Sequence, residues 1–574
     1  MKLYPLFALA LVPFLATGQE ADFSHIKPAK NIILMISDGT SPAAVSLGRW
    51  YNRLKNPASK SLAVDPFLSG TVLTFCSDSP IGDSAPTSSS YVNGMPSRAG
   101  FVNSYPAPTA HDLVPVDSAK AYRPLVTAFE LARIIGGKKT GIVVTCDFPQ
   151  ATPADMAAHY YDRGSYAHLI PQMAQNGIDV LFGSGVKLVT PGLRNLLEKE
   201  GTKLYTDDKA ALTTDADKVW GLFSPMDIPY DLDRDPALSP SLAEMTKAAL
   251  TKLQGDPDGF FLMVEGSKVD WAAHANDPVG IASEFVAFDR AVAEALDFAK
   301  KDGNTVVIVT ADHGNSGLSI GRRDLGGKYA ETGADKLFGV LPKAKRTAVG
   351  LASLLLKAET EDDLSHIFEE YAGFTPSPSE LKVVTALRSM EKNKSGRLSD
   401  EREKTLEELL GDDVDALSHL KSIQYSSNSL DGYIAALYTA HSYLTFTTNG
   451  HTGEEVLLAC YAPSLDQRIR GMNTNIDLNN YIRALVGLTE KTMPEYTDDY
   501  FSPASEVFKG LEVAVSGDQP LEKTLTVKKG KKTLVVKAFS DTVTVNGKPV
   551  ELPLAVVYVD KTGDFYLPAS LRDF

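Results

Sequence analysis

The chain has 574 residues, 43% hydrophobic and 22% charged, a balance that supports a large buried core and excludes a disordered polymer. A formal net charge of -15 excludes the basic surface that nonspecific binding to nucleic acid or anionic membrane requires. Three scattered cysteines, Cys76, Cys146 and Cys460, form no CxxC pair and no disulfide framework; they read as buried free thiols.

In chain order, MKLYPLFALALVPFLATG (1–18) comes first: one lysine, an apolar run and small residues ending at Gly18. This predicts a secretory signal cleaved after Gly18 and an exported protein, periplasmic or extracellular. No cysteine follows to carry a lipid, and no later stretch is long and apolar enough to span a bilayer.

Five short apolar runs without alternation follow: 31–37 (NIILMIS), 140–146 (TGIVVTC), 177–184 (GIDVLFGS), 259–264 (GFFLMV) and 304–311 (NTVVIVTA). Strands buried on both faces have this composition. Helical patterns, among them 122–135 and 281–300, lie between them, which predicts an α/β fold with a mostly parallel sheet covered by helices on both faces. Four of the runs lead into polar residues: Asp38; Asp147 and then Thr152; Glu265; Asp312 with His313. The carboxyl ends of strands form the ligand crevice in such sheets, so these residues are predicted to share one edge.

About residues 345–442 read as amphipathic helices, a helical insertion ahead of TTNGHTGEEVLLACYAP (447–463). The catalytic domain is predicted over 24–500. Beyond it, 505–574 alternates in the manner of strands and carries the hairpin pair Asn546-Gly547, so a small β domain is expected. Its VTVNGKPVELPLAVVYVDKTGDFYLPASL stretch resembles the β modules related to the copper amine oxidase N-terminal domain; packing, or contact with a surface or glycan, is its expected role.

The chemistry-bearing segments are specific. In VDWAAHA, a helix brings Asp270 and His274 to one face, a spacing that suits two ligands of one metal, and His451 in NGHTG is a candidate third. Asp38, Asp312 and His313 offer a second nitrogen-containing set, and Asp38, Thr152 and Glu265 an all-oxygen one; imidazole suits zinc and hard oxygen suits magnesium. In GDSAPTSSSYVNG (82–94), Ser84 follows Asp83 at a predicted helix start, where peptide N–H groups favour a phosphate; taken alone, the pair is a plain N-cap pattern. Arg163 in HYYDRG can grip phosphoryl oxygens with two N–H donors.

Six segments in order, ISDG, GDSAPTSSSYVNG, QATPADMAAHYYDR, EGSKVDWAAH, TADHGN and NGHTGEEV, together resemble the alkaline phosphatase family over about 30–315 and 445–465. The resemblance implies hydrolysis of phosphate monoesters by Ser84 through a phosphoserine intermediate. It implies a first zinc on Asp270, His274 and His451, a second on Asp38, Asp312 and His313, and magnesium on Asp38, Thr152 and Glu265. Arg163 would hold the phosphoryl group with Asp83 orienting it, and the family suggests a homodimer. Small phosphomonoesters are the expected partners. Three positions depart from the pattern: Gln150 where relatives often have Asp or His, Trp271 where some have Lys, and ISDGT in place of DGMG. Rival readings are a phosphodiesterase of the same superfamily and a catalytically silent exported metal- or glycan-binding protein. A sulfatase lacks support, because Cys76 is followed by Ser77-Asp78-Ser79 rather than a CxPxR motif.

Overall fold

The computed structural model describes residues 22–393, 399–423 and 429–574; the expected signal segment lies outside them. Ten strands form the central sheet: β1 (Asn31–Ser37), β2 (Leu68–Leu73), β3 (Lys139–Asp147), β4 (Val180–Ser184), β5 (Lys203–Thr206), β6 (Val219–Leu222), β7 (Phe260–Gly266), β8 (Thr305–Thr310), β9 (Val456–Tyr461) and β10 (Gly471–Thr474). Their order is β10-β2-β9-β8-β1-β7-β3-β4-β6-β5. Only β9 runs against its neighbours, β2 and β8; every other pairing is parallel.

The absence of alternation in the strand sequences has a direct cause. Ile32, Leu34 and Ile36 of β1 point into one core, together with Phe261 and Met263 of β7. Ile33 and Met35 point into the other, with Phe260, Leu262 and Val264. Both faces are dry, so both sets of positions must be apolar. Helices Leu242–Leu253 and Pro278–Asp302 pack on the second face, and the helical insertion, including 348–355, 378–393 and 430–440, joins the same core through Leu351, Leu387 and Leu437. The C-terminal strands extend the first core through Leu525, Val536 and Val556. A five-stranded antiparallel meander runs from Glu512 to Glu551, and Asn546 (φ 52°) and Gly547 (φ 77°) make its last turn, as the Asn-Gly signal predicts. All three cysteines are buried and free. Among the described residues, no helix is long and apolar enough to cross a membrane.

The helix expected over 122–135 is shorter, Ala128–Ile134. Thr127 accepts from Glu130 N while Glu130 accepts from Thr127 N, so a capping box fixes the start there. Pro124 also disfavours helical backbone at the residue before it.

The 25-residue helix Pro278–Asp302 backs the sheet and contains the pattern read at 281–300. It buries Glu284, whose Oε1 accepts from Asp231 N at 2.5 Å. Burial, and then the nearby Asp231 carboxylate, push Glu284 up to about 8. A carboxyl raised above its unfolded value binds more protons in the folded state, so stability falls as pH rises from about 4.5 through about 8. Glu284→Gln keeps the acceptor and removes the charge. The variant should melt higher than the parent at pH 9, by a margin on the order of a few kcal/mol at about 1.4 kcal/mol per pH unit, and no higher at pH 5. Thermal denaturation at the two pH values measures this, and equal shifts at both would contradict the assignment.

Candidate active site

Each strand end contributes in turn. Asp38 follows β1, Glu265 lies at the end of β7, and Asp312 with His313 follows β8. The helix Lys268–His274 begins directly after β7 and carries Asp270 and His274 one turn apart. Thr152 sits in the first turn of the helix Ala151–Ala157, after β3. His451 arrives from a distant part of the chain through a two-residue antiparallel pairing, His451 with Asn315 and Thr452 with Gly314, which locks the NGHTG turn beside His313.

These residues converge. His274 Nε2 lies 3.2 Å from His451 Nε2 and 3.3 Å from Asp270 Oδ2, and His451 Nε2 is 3.9 Å from Asp270 Oδ1. His313 Nε2 stands 3.6 Å from Asp38 Oδ1 and 3.4 Å from Asp312 Oδ2. The His313 and His451 rings stack with centroids 3.7 Å apart, so the two groups adjoin. Ligand atoms of Asp38, Asp312 and His313 all fall within 4.8 Å of one another, as do those of Asp270, His313 and His451.

The ring nitrogens identify what fills the space. His274 Nδ1 faces the Asn449 carbonyl at 2.7 Å, His451 Nδ1 the Gly82 carbonyl at 2.8 Å, and His313 Nδ1 the Gly314 carbonyl at 3.0 Å. A carbonyl only accepts, so each Nδ1 donates and each Nε2 is left with its lone pair turned inward. Two such lone pairs at 3.2 Å repel unless a cation lies beside both. Hydrogen bonding to Asp270 raises His274 to about 8. Burial, and then His313, push His451 down. A divalent cation beside both nitrogens would remove the repulsion.

The carboxylates agree. Burial, followed by Asp312, Asp270 and Glu265, raises Asp38 well above the carboxylate range. Burial and then Asp312 push Glu265 up to about 8. Burial also opposes ionisation of Asp270, but His274, His313 and His451 outweigh it and hold that group low. Asp38 Oδ1, Asp312 Oδ2 and Thr152 Oγ1 are buried without a hydrogen-bond partner. Orphaned oxygens among crowded carboxylates fit a cluster of divalent cations, which would supply the missing positive charge. Asp38, Thr152 and Glu265 share a cavity of about 20 Å³ with Ser84, Arg163 and Asp270.

Ser84 opens the helix Ser84–Asn93, and its Oγ lies 3.2 Å from His313 Nε2. A serine–histidine–aspartate triad would place the carboxylate on Nδ1. Here Asp38 and Asp312 both face Nε2, and a carbonyl takes Nδ1, so His313 is arranged as a ligand. Asp83 occupies the N-cap position yet makes no side-chain cap bond. Its carboxylate is used elsewhere: Oδ1 accepts from Arg163 Nη1 at 2.5 Å and Oδ2 from Gly100 N at 2.7 Å. The first N–H groups of the helix are therefore left for an anion, and the guanidinium is held beside them.

The departures from the family pattern sit at the same cavity. Gln150 and Trp271 line it, and Gln150 Nε2 donates to Asp147 Oδ1 at 3.0 Å. Lys268 cannot replace a phosphate-binding lysine, because Asp227 at 2.5 Å and the Ile228 carbonyl at 2.9 Å hold its ammonium away. In ISDGT, the Ser37 and Thr40 hydroxyls bond each other at 2.6 Å and Thr40 also donates to the Asp38 carbonyl, so the change is absorbed within the turn. One participant was not singled out by sequence: Asn315 donates to Asp270 Oδ1 at 2.6 Å and orients it. It lay in plain view in TADHGN, next to the ligand pair.

Comparison with known proteins agrees with this geometry. The alkaline phosphatase family profile matches residues 29–488. Alkaline phosphatase 3 of Bacillus subtilis (strain 168) is 30% identical over 506 residues, covering 84% of this chain and 97% of that protein. The cold-active alkaline phosphatase of Shewanella sp. superposes with a TM-score of 0.63 at 26% identity, over 80% of this chain and 100% of its own. Thermus thermophilus alkaline phosphatase, at 20% identity, shares the fold with a TM-score of 0.62 over 82% of this chain and 95% of its own. With its sheet, its cluster of carboxylates and imidazoles and a profile match spanning most of its length, the chain belongs to the alkaline phosphatase family.

Proposed function

We propose that this enzyme is an exported phosphomonoesterase that uses Ser84 as its nucleophile at a centre of two zinc ions and one magnesium ion. The observation that carries the reading is the turning of three imidazole Nε2 atoms and the orphaned carboxylate oxygens toward the space beside Ser84 Oγ. Asp270, His274 and His451 would hold one zinc; Asp38, Asp312 and His313 the other; Asp38, Thr152 and Glu265 the magnesium. Bound there, the ions would neutralise phosphoryl charge and lower the pKa of a coordinated hydroxyl or water. Export rests on the segment at 1–18.

The chain's own residues supply alignment. The free N–H groups at the start of the Ser84 helix and the Arg163 guanidinium hold phosphoryl oxygens, which places phosphorus in reach of Ser84 Oγ. Asp83 fixes the guanidinium by pairing with it. Asn315 and the carbonyls of Gly82, Gly314 and Asn449 fix the ligands. Little proton transfer by side chains is needed.

Turnover of a monoester and a diester by metal-analysed protein tests this reading. The monoester should be preferred, with two zinc ions and one magnesium ion per active chain. Arg163→Ala should cost about 10- to 100-fold more on the monoester than on the diester, because only the dianion needs the second pair of donors. Equal losses on both would point to a phosphodiesterase.

A further inference from the structure

The segment beyond the family match reaches the active-site rim. A hairpin joins strands Val557–Val559 and Asp564–Leu567 of the C-terminal unit. At its tip, Asp560 Oδ1 accepts from the hydroxyls of Tyr160 at 3.1 Å and Tyr161 at 2.6 Å, three and two residues ahead of Arg163. The next residue, Lys561, is exposed and holds its ammonium 5.7 Å from the centre of the Tyr161 ring.

Lys561 stands at a cleft of about 270 Å³ whose other walls are Asp78, Arg98, Phe101, Tyr122 and Tyr161. The three rings form one aromatic surface, with centroids 5.5–6.2 Å apart. Tyr122 adopts φ +66°, a left-handed conformation costly for a bulky residue. Arg98 Nε leans on Asp78 Oδ2 at 3.3 Å, so two cations and one carboxylate meet over the rings. The backbone links the cleft to the phosphate clamp: Gly100, between the cleft residues Ala99 and Phe101, donates its N–H to Asp83 and accepts from Arg163 N at 2.8 Å.

We propose that this cleft is a leaving-group subsite, completed by Lys561 of the C-terminal unit, for phosphomonoesters whose leaving group carries a planar ring and a second negative charge. The proposal rests on the phosphomonoesterase reading above. The rings offer a stacking face, and Lys561, whose ammonium makes no ion pair among the described residues, favours an anionic substituent. The volume admits one substituted ring, and the Gly100 bonds tie the cleft to the residues that hold Arg163. The C-terminal unit thus acts in specificity as well as in packing, with Asp560 fixing the hairpin against the segment that leads to Arg163.

The test uses the full-length metal-loaded enzyme with three substrates: 4-carboxyphenyl phosphate, phenyl phosphate and ethyl phosphate. Lys561→Gln should lower kcat/KM for 4-carboxyphenyl phosphate about fivefold, and Lys561→Glu about 20-fold, with losses of at most about twofold on the other two. Because Lys561 is exposed, both variants should fold. Losses of the same size on all three substrates, or no loss on the carboxylated one, would overturn the subsite. If wild-type protein hydrolysed none of the three, the phosphomonoesterase reading itself would fall.

Discussion

Ser84→Ala should abolish turnover while leaving the metal cage full. Ser84 Oγ has one close polar neighbour, His313 Nε2, and caps no helix N–H. Its removal therefore costs little stability, within about 0.5 kcal/mol. The ligands reach their site from other elements: Asp38 from the end of β1, His313 from the end of β8, His451 from the turn paired with Asn315. None of these placements depends on the serine hydroxyl. The expected loss in kcat is on the order of 10³-fold or more, equivalent to about 4 kcal/mol of transition-state stabilisation. Metal content and circular dichroism should match the parent, and acid-quenched enzyme should carry no covalent phosphate. Rates within about tenfold of the parent would mean that water attacks phosphorus directly and that Ser84 only lines the site.

Much of the fold was legible in the sequence because the central strands are dry on both faces. Ile32, Leu34 and Ile36 serve one core and Ile33 and Met35 the other, which forces an unbroken apolar run and rules out an exposed sheet. The outer strands Leu68–Leu73, Lys203–Thr206 and Gly471–Thr474 were not legible. They are short and half exposed, so neither run length nor alternation marks them. The convergence of these side chains was readable because Asp38, Glu265 and Asp312 lie at or just past the ends of strands that share an edge, and because Asp270 and His274 are one helical turn apart. The carbonyl partners of the three histidines could not be read. Gly82 and Asn449 are backbone acceptors, set by loop geometry that no side-chain pattern records. The same holds for Asp83, whose position predicts a cap and whose carboxylate instead pairs with Arg163.

Gly39→Ala should be nearly as damaging as loss of the nucleophile, although Gly39 touches no substrate. Gly39 follows Asp38 with φ +60°, a conformation that costs alanine about 1–2 kcal/mol. The larger penalty is steric. A Cβ there would lie 2.6 Å from Asp270 Cβ and 2.7 Å from Asp270 Cα, so it meets the backbone of the metal-binding helix and no rotamer relieves it. The turn after β1 and the helix Lys268–His274 must then separate, and with them the carboxylates of Asp38 and Asp270. The same movement strains the bond from Gly39 N to Asp312 Oδ1, now 3.0 Å. A displacement of about 1 Å between reacting groups costs on the order of 10²-fold in rate. The expected outcome is a fall in kcat of at least that size with partial loss of bound metal, and little change in secondary structure, since the sheet registers far from the turn are untouched. If the alanine variant kept full metal content and parental kcat, β1 and the metal helix would have slack between them, and close contact of the two elements could not be what sets the spacing of the cation sites.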